Sequence, residues 1–286
     1  MQLFDAHCHL QDERLGTLQD VVQEAASKGV QQLACNGCWA GDDWARVAAA
    51  AAEHPAAIVP NFGLHPWWLA QRSPGWLQQL REMLVAYPRA GLGECGLDRG
   101  PRGPAVEWAV QLEAFEQQLQ LAQELLRPVS IHCVKAYGAV NDVLRRLNIT
   151  VPVVLHSWTG AVEMTTTLLQ LPNVHVSLSG HITKLAPHKA VPMIRAVPLE
   201  RLLLESDSPD GLLQLSPAWL AELPSLRSLP QQLADAGLLE VNRPCVLPWT
   251  LQLVAAALCK PAEEVAGATY ANAQRVFRTS GSSGMT

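Results

Sequence analysis

The chain alternates between short runs of consecutive apolar residues and longer segments in which apolar residues recur every three or four positions. The short runs predict β-strands buried on both faces, and the longer segments predict amphipathic helices that pack against a sheet. Strands are predicted near 4–9, 30–35, 57–62, 90–93, 128–132, 151–155, 174–178 and 201–204. Helices are predicted between them, near 18–29, 42–52, 74–87, 104–126, 139–147, 162–171 and 187–197.

This regular alternation of strands and helices predicts an α/β fold with a parallel sheet. We predict a single-domain (β/α)8 TIM barrel over residues 1–278, and a doubly wound open sheet stays the alternative because strand number alone does not prove closure. The alternation is interrupted at 208–241, where prolines and leucines are frequent. We expect this inserted segment to form short helices beside or over the mouth of the barrel, and residues 279–286 to form a flexible tail.

The composition limits the class of protein. With 49% hydrophobic residues the chain is able to bury a sizeable core, and its net charge of −5 excludes a broadly basic surface that coats nucleic acid. Any contact with DNA is therefore expected to be local. The seven cysteines follow no disulfide pattern, which predicts reduced thiols. Because neither a secretory signal nor a long apolar run is recognised, we expect a cytoplasmic protein without membrane association or an obligate protein partner.

The first predicted strand carries the most informative polar residues. Asp5, His7 and His9 alternate along it, so strand geometry predicts that they share one face, while Phe4 and Cys8 lie on the other. Burying such polar groups without partners costs several kcal/mol, and a metal ion would offset that cost. For this motif taken alone, a surface strand with the polar residues turned outward is the alternative.

Further polar residues follow the carboxyl ends of the later predicted strands. They are His65, Glu94, His132, His156 and Asp207. In a barrel these strand ends meet on the rim that carries active sites. Four imidazoles and two carboxylates on this rim exceed the ligand set of one tetrahedral ion. The set therefore predicts a pair of divalent ions, and its imidazole content favours Zn²⁺ or Mn²⁺ over Mg²⁺.

Seven short motifs, in this order along the chain, carry a family resemblance. They are DAHCHL at 5–10, GLHP at 63–66, GECGLD at 93–98, IH at 131–132, HSWTG at 156–160, ESDSP at 205–209 and NAQRVF at 272–277. The ordered set resembles the TatD family of metal-dependent deoxyribonucleases, which belongs to the amidohydrolase superfamily. The resemblance implies a TIM barrel, a two-metal site and hydrolysis of phosphodiester bonds in DNA, with 3′–5′ exonuclease activity as one form of it.

The resemblance also implies a role for each motif residue. The implied ligands are His7, His9 and Asp207 for a first ion, His132 and His156 for a second ion, and Glu94 for both. Asp207 would take the proton of the attacking water, so Asp207 and Glu94 are the catalytic candidates. His65 would face the substrate phosphate. Because the family is commonly magnesium-dependent, Mg²⁺ stays a candidate beside Zn²⁺ and Mn²⁺.

Some positions depart from the family pattern and bear on the substrate. Val134 stands where many members have an arginine, which leaves Lys135 as a candidate phosphate contact. Trp158 stands where phenylalanine is usual and offers an aromatic surface for base stacking. His181 is a further candidate for positive charge near the rim. Two alternatives stay open: a hydrolase of small-molecule amides or esters or of aminoacyl-tRNA, and a barrel that binds metal or a partner without catalysis.

Overall fold

The computed structural model describes residues 1–278, and the tail predicted for 279–286 lies outside the described residues. Within 1–278, eight strands form one parallel sheet in which each strand pairs with the next along the chain. The strands are β1 (Leu3–Cys8), β2 (Val30–Gly37), β3 (Ile58–Phe62), β4 (Gly91–Asp98), β5 (Val129–Val134), β6 (Val153–Leu155), β7 (Val174–Leu178) and β8 (Leu202–Leu204). The predicted (β/α)8 barrel is confirmed.

Helices follow the strands around the outside of the barrel. They are α1 (Leu18–Ser27), α2 (Asp42–Glu53), α3 (Trp76–Ala86), α4 (Trp108–Glu124), α5 (Tyr137–Arg146), α6 (Val162–Leu168), α7 (Pro187–Ala196), α8 (Pro217–Glu222), α9 (Leu229–Asp235), α10 (Leu247–Leu258) and α11 (Ala262–Arg278). The first seven connect consecutive strands. Among the described residues, no single helix combines the length and the apolar composition that crossing a membrane requires.

Backbone hydrogen bonds join the last strand to the first. The Asp207 N–H donates to the His7 carbonyl at 2.9 Å, and the His9 N–H donates to the Ser208 carbonyl at 2.8 Å. Side chains reinforce this seam, because the Ser206 N–H donates to the Asp5 carboxylate at 2.8 Å. An open doubly wound sheet would leave β1 and β8 apart, so the alternative fold is excluded.

The amino-terminal half of the barrel interior is apolar. Phe4 of β1 packs in one buried cluster with Val154 of β6 and Leu203 of β8, and α11 covers this end with Phe277. The rings of Phe4 and Phe277 are stacked with their centroids 5.3 Å apart. Because this end is filled and covered, the open end of the barrel is the one where the strands end.

Strict alternation along β1, as predicted from strand geometry, is wrong. The pairing of β1 with β2 shifts register between Asp5 and Cys8. Ala6 lies in the interior cluster with Phe4, yet His7 also turns inward and contacts Ser130 of β5. Asp5 therefore does not share the face of the histidines, and burial raises the pKa of its carboxyl group to about 8.

Strand β4 extends beyond its predicted end. Glu94 was expected to follow a strand at 90–93, but β4 runs through it as far as Asp98. The glycines of this strand weaken the sequence signal for β-structure. Close packing explains the glycine at position 93, since a Cβ atom there would lie 2.7 Å from the Ser130 Cβ of the neighbouring strand. The longer strand carries two carboxylates, at Glu94 and Asp98, toward the same rim.

The segment after β8 packs beside the mouth of the barrel. It contains the short helices α8 and α9. The Trp219 indole N–H donates to the carbonyls of Thr183, at 3.2 Å, and Leu185, at 3.1 Å, in the loop after β7. Asp210 forms an exposed ion pair with Arg14 of the loop after β1, at 3.1 Å. The segment therefore contacts the rim from the β7 side and the β1 side.

Candidate metal centre

Glu94 lies at the middle of the site, and its two carboxylate oxygens face different groups of side chains. Glu94 is 3% exposed. Its Oε2 lies 3.4 Å from Nε2 of His7 and 3.4 Å from Nε2 of His9. Asp207 presents Oδ1 to the same two nitrogens, at 3.9 Å and 3.7 Å. We call these four side chains the first donor group.

The other oxygen of Glu94 faces a second set of imidazoles. Oε1 lies 2.8 Å from Nε2 of His156 and 3.0 Å from Nδ1 of His132. These two ring nitrogens are 3.4 Å apart. Glu94, His132 and His156 form the second donor group, and Glu94 belongs to both groups. The structure thus brings together all six residues that were predicted as metal ligands.

The protonation states of the imidazoles test whether these groups fit a cation. His9 donates through Nδ1 to the Asn36 carbonyl at 2.8 Å, and His132 donates through Nε2 to Asp98 Oδ2 at 3.1 Å. In a neutral ring the other nitrogen then carries no proton and has a free lone pair. When both rings are neutral, these lone pairs face a Glu94 oxygen, which is repulsive unless a proton or a metal ion lies between them. The donor chemistry therefore fits divalent metal ions.

Carboxylates and a hydroxyl orient the histidines from behind. Asp98 accepts from His132, Glu205 Oε1 lies 3.5 Å from Nδ1 of His156, and Ser130 Oγ is 2.9 Å from Nδ1 of His7. Hydrogen bonds such as those of Asp98 and Ser130 fix the ring orientation of a ligating imidazole, whereas Nδ1 of His156 makes no hydrogen bond among the described residues. Asp98 was missed as a functional residue in the sequence. Its signal was available, since it follows Glu94 by four residues and strand alternation places both on one face.

His65 differs from the other rim histidines in its tautomer. Its Nδ1 accepts the backbone N–H of Trp67 at 3.1 Å, so the proton of the neutral ring is on Nε2. This nitrogen lies 3.3 Å from Glu94 Oε1. Burial lowers the pKa of His65 to about 4, which keeps the ring neutral. His65 is therefore a hydrogen-bond donor toward the centre rather than a lone-pair ligand.

Opposite charges dominate the electrostatics of the centre. Burial alone would raise the pKa of Glu94, but the surrounding imidazoles, led by His156, hold it well below its usual value. Burial would lower the pKa of His156, but the carboxylates of Glu94 and Glu205 raise it well above its usual value. The carboxylates thus stabilise positive charge in the space between the two donor groups.

Asp207 uses its two oxygens differently. Oδ2 accepts hydrogen bonds from Ser157 Oγ, at 3.0 Å, and from His181 Nε2, at 3.0 Å. Burial alone would raise the pKa of Asp207, but His181 and the neighbouring imidazoles lower it well below its usual range. Because Oδ2 is anchored in this way, Oδ1 is left to face the imidazoles of the first donor group. His181, predicted near the substrate, reaches the site through this contact.

The predicted stacking role of Trp158 is wrong. Its side chain is 1% exposed, its ring packs on Tyr137 and its indole N–H donates to Thr165 Oγ1 at 2.8 Å. A base has no access to a ring that is buried beneath the rim in this way. Lys135 is exposed in the loop directly after β5, so its position is compatible with contact to a ligand at the mouth.

Comparison with known proteins places this geometry in a family. The family model described as TatD related DNase matches residues 4–278. The chain belongs to the TatD family. It is 28% identical to the 3′-5′ ssDNA/RNA exonuclease TatD of Erwinia tasmaniensis, over 96% of this chain and 99% of that protein. It is 30% identical to an uncharacterized metal-dependent hydrolase TatD of Mycobacterium tuberculosis, over 96% of this chain and 97% of that protein.

A solved TatD structure agrees with the fold. The crystal structure of YjjV, a TatD homolog from Escherichia coli, superposes with a TM-score of 0.81 and 26% sequence identity, over 97% of this chain and 98% of that one. The family resemblance seen in the motifs is confirmed. The chain is a metal-dependent hydrolase of the TatD family, and the donor groups around Glu94 supply its candidate metal ligands.

Proposed function

We propose that the chain hydrolyses phosphodiester bonds of DNA with two divalent ions, one at each donor group. The observation that carries this proposal is the division of the Glu94 carboxylate, whose two oxygens face separate sets of imidazoles at 2.8–3.4 Å. A carboxylate shared in this way is suited to bridging two ions. Imidazole-rich ligation favours Zn²⁺ or Mn²⁺ at these positions, and Mg²⁺ is the candidate that prefers more oxygen ligands.

Two ions held there would lower the pKa of a water and neutralise charge on a phosphodiester during an in-line displacement. The chain's own residues supply the remaining functions. Asp207 Oδ1 is the oxygen positioned to accept the proton of the attacking water, while Ser157 and His181 hold Oδ2. His65 presents an N–H toward the same space and is the donor that we assign to a phosphate oxygen.

The proposal of a nucleic-acid substrate rests on similarity, and the net charge limits how such a substrate binds. The E. tasmaniensis relative is named a 3′-5′ ssDNA/RNA exonuclease, and we propose the same polarity on single-stranded DNA here. The chain has a net charge of −5, so contacts with DNA are restricted to the rim around the metal centre.

The test uses protein of measured metal content and single-stranded DNA labelled at the 3′ or the 5′ end. Wild-type protein is expected to shorten the strand from the 3′ end with Mg²⁺, Mn²⁺ or Zn²⁺, and His132→Ala is expected to lose this activity. His188→Ala, at an exposed position on α7, is the matched control and is expected to retain it. Wild-type protein that holds two ions but cleaves an amide or carboxylic ester instead of DNA would contradict the proposal.

A further inference from the structure

We propose that Trp39 and Trp68, together with Arg102, form a subsite that binds the nucleotides next to the scissile phosphate of a single-stranded substrate. The inference rests on the proposed function, since it places the subsite beside the same metal centre. We call the two tryptophans the indole pair. Bases stack on the indole pair, and Arg102 binds a backbone phosphate.

The indole pair lies on the rim where the strands end. Trp39 follows β2 by two residues, and Trp68 lies in the turn Pro66–Gln71 directly after β3. Their ring centroids are 4.6 Å apart. Trp39 is 38% exposed, which is unusual for so large an apolar side chain. Trp68 is partly buried against the core, so it supports the ring of Trp39, which is the part of the pair that is open to a ligand.

This surface adjoins the metal centre. Cys38, the residue before Trp39, places its Sγ 3.7 Å from Glu94 Oε2. On the other loop, His65 comes three residues before Trp68 and contacts Glu94 Oε1. The two loops that carry the indole pair therefore both border the metal centre.

The loop that carries Trp39 is held in place. The carboxylate of Asp43, which is 1% exposed, accepts the backbone N–H groups of Cys38 and of Trp39, the latter at 3.2 Å. It also accepts from Gln11 Nε2 at 2.9 Å. The side chain of Asp43, at the start of α2, thus organises the loop that precedes this helix. A ring on an ordered loop binds a base with little further loss of conformational entropy.

Arg102 supplies positive charge at the next loops of the rim. Its guanidinium lies 4.7 Å from the ring centroid of Trp67, and that ring lies 4.6 Å from the ring of His65. Arg102 is exposed and pairs with no carboxylate among residues 1–278. Lys135 is likewise exposed after β5. Unpaired cations beside a metal centre complement a polyanion better than a neutral amide or ester.

The indole pair favours single-stranded nucleic acid over a duplex. The faces of bases are available for stacking only where the bases are unpaired and unstacked from their neighbours. Stacking on aromatic side chains accepts every base, so it provides affinity without sequence preference. The subsite thus explains how an acidic chain holds DNA through a few local contacts.

The experiment measures binding of a fluorescein-labelled single-stranded oligothymidylate to the Asp207→Asn variant by anisotropy. In that background, Trp39→Ala is expected to weaken binding about tenfold, and Trp39→Phe less than about threefold. Arg102→Ala is expected to reduce the slope of log affinity against log salt by about 0.7, the value for one phosphate contact on a single strand.

Matched controls lie at the opposite end of the barrel. Val85→Ala and Arg89→Ala change an exposed apolar and an exposed basic residue between β3 and β4, and both are expected to leave binding unchanged. A series of oligonucleotides, each with a single abasic site at a different position, then identifies the base that stacks on Trp39. The effect of Trp39→Ala is expected to disappear when the abasic position is the stacked one.

Two outcomes overturn the inference. One is binding by the Trp39→Ala variant within about twofold of Val85→Ala, and the other is an equal penalty at every abasic position. Wild-type cleavage of bis(p-nitrophenyl) phosphate, a diester without bases, tests the phosphodiesterase proposal separately. Base-dependent binding without such cleavage would support the indole pair and reject the phosphodiesterase proposal, and cleavage without base-dependent binding would do the opposite.

Discussion

The substitution Asp98→Asn tests whether the two donor groups are separate sites. Asp98 is 3% exposed, and its Oδ2 accepts from His132 Nε2 at 3.1 Å and from the Trp67 indole N–H at 2.7 Å. Its Oδ1 accepts from the Gly100 N–H at 2.5 Å. An asparagine has one oxygen for these three donors. One or more of them must then face the amide NH₂ group, and His132 loses the negative charge behind its ring.

The expected magnitude follows from the charge of this contact. Burial would raise the pKa of Asp98, but the hydrogen bond to His132 lowers it, so the group is ionised at neutral pH. Removing a carboxylate that orients a ligating histidine typically lowers metal affinity 10–100-fold, which is about 1.4–2.7 kcal/mol. Because Asp98 contacts only the second donor group among the metal ligands, we expect the loss to be confined to one of the two ions.

The assay is a titration of metal-free protein with Zn²⁺ against a chromophoric chelator, with bound metal counted by elemental analysis. Wild-type protein is expected to take up two ions, and Asp98→Asn one ion with unchanged affinity and one with reduced affinity. Ser130→Ala is the matched variant for the first donor group, since it removes the 2.9 Å hydrogen bond to His7. We expect it to weaken the first donor group by about fivefold, the value of an ordinary hydrogen bond.

The result that would refute this reasoning is loss of both ions together in Asp98→Asn. That result would mean that the six side chains act as one cooperative site rather than two groups joined by Glu94. An unchanged titration would refute a different step, namely that the Asp98 carboxylate sets the orientation of His132. Unaltered thermal unfolding of the metal-free variant is the control for the fold.

Three further predictions concern other parts of the molecule. Glu94→Gln removes the charge shared by both groups and is expected to lower the affinity for both ions more than about 100-fold, read out by metal content after dialysis. Phe277→Ala empties the space against Phe4 and is expected to cost about 3–5 kcal/mol in urea unfolding while the bound metal is retained. Burial, with Arg201 nearby, lowers the pKa of His175 to about 4, below the usual 6.5. The folded state therefore resists protonation of this ring. Relative to His175→Gln, the free energy of unfolding of the wild type is expected to fall by about 1–2 kcal/mol from pH 7 to pH 5. A difference between the two proteins that does not change with pH would contradict this prediction.

The barrel was predictable because its signals are local. Each strand is a short apolar run and each helix has its own periodicity, so their alternation is visible without knowledge of any contact. The positions of β5 and β6 followed from the same pattern, which is why His132 and His156 were recognised near the carboxyl ends of these strands. Their convergence then needed only the geometry of a parallel barrel.

The remaining features depend on contacts that the sequence does not display. The inward turn of His7 comes from a register shift, which no alternation rule anticipates. Trp158 was predicted to stack on a base because it stands where the family usually has phenylalanine, but its ring is buried and its indole N–H donates to Thr165. The exposed side chain of Trp39 depends on the hydrogen bonds that Asp43 makes to its loop.

The candidate site combines residues at the end of the first strand with a residue that follows the last strand, so it is complete only after most of the chain has been synthesised. His7 and Asp207 are bonded through their backbones across the seam between β8 and β1, and both belong to the first donor group. A nascent chain that lacks residue 207 contains both histidines of that group but neither the closed barrel nor the carboxylate proposed to accept the proton. A chain that ends before residue 207 is therefore expected to lack hydrolase activity, and a metal ion held by His7 and Asp207 would tie β1 to the segment that follows β8.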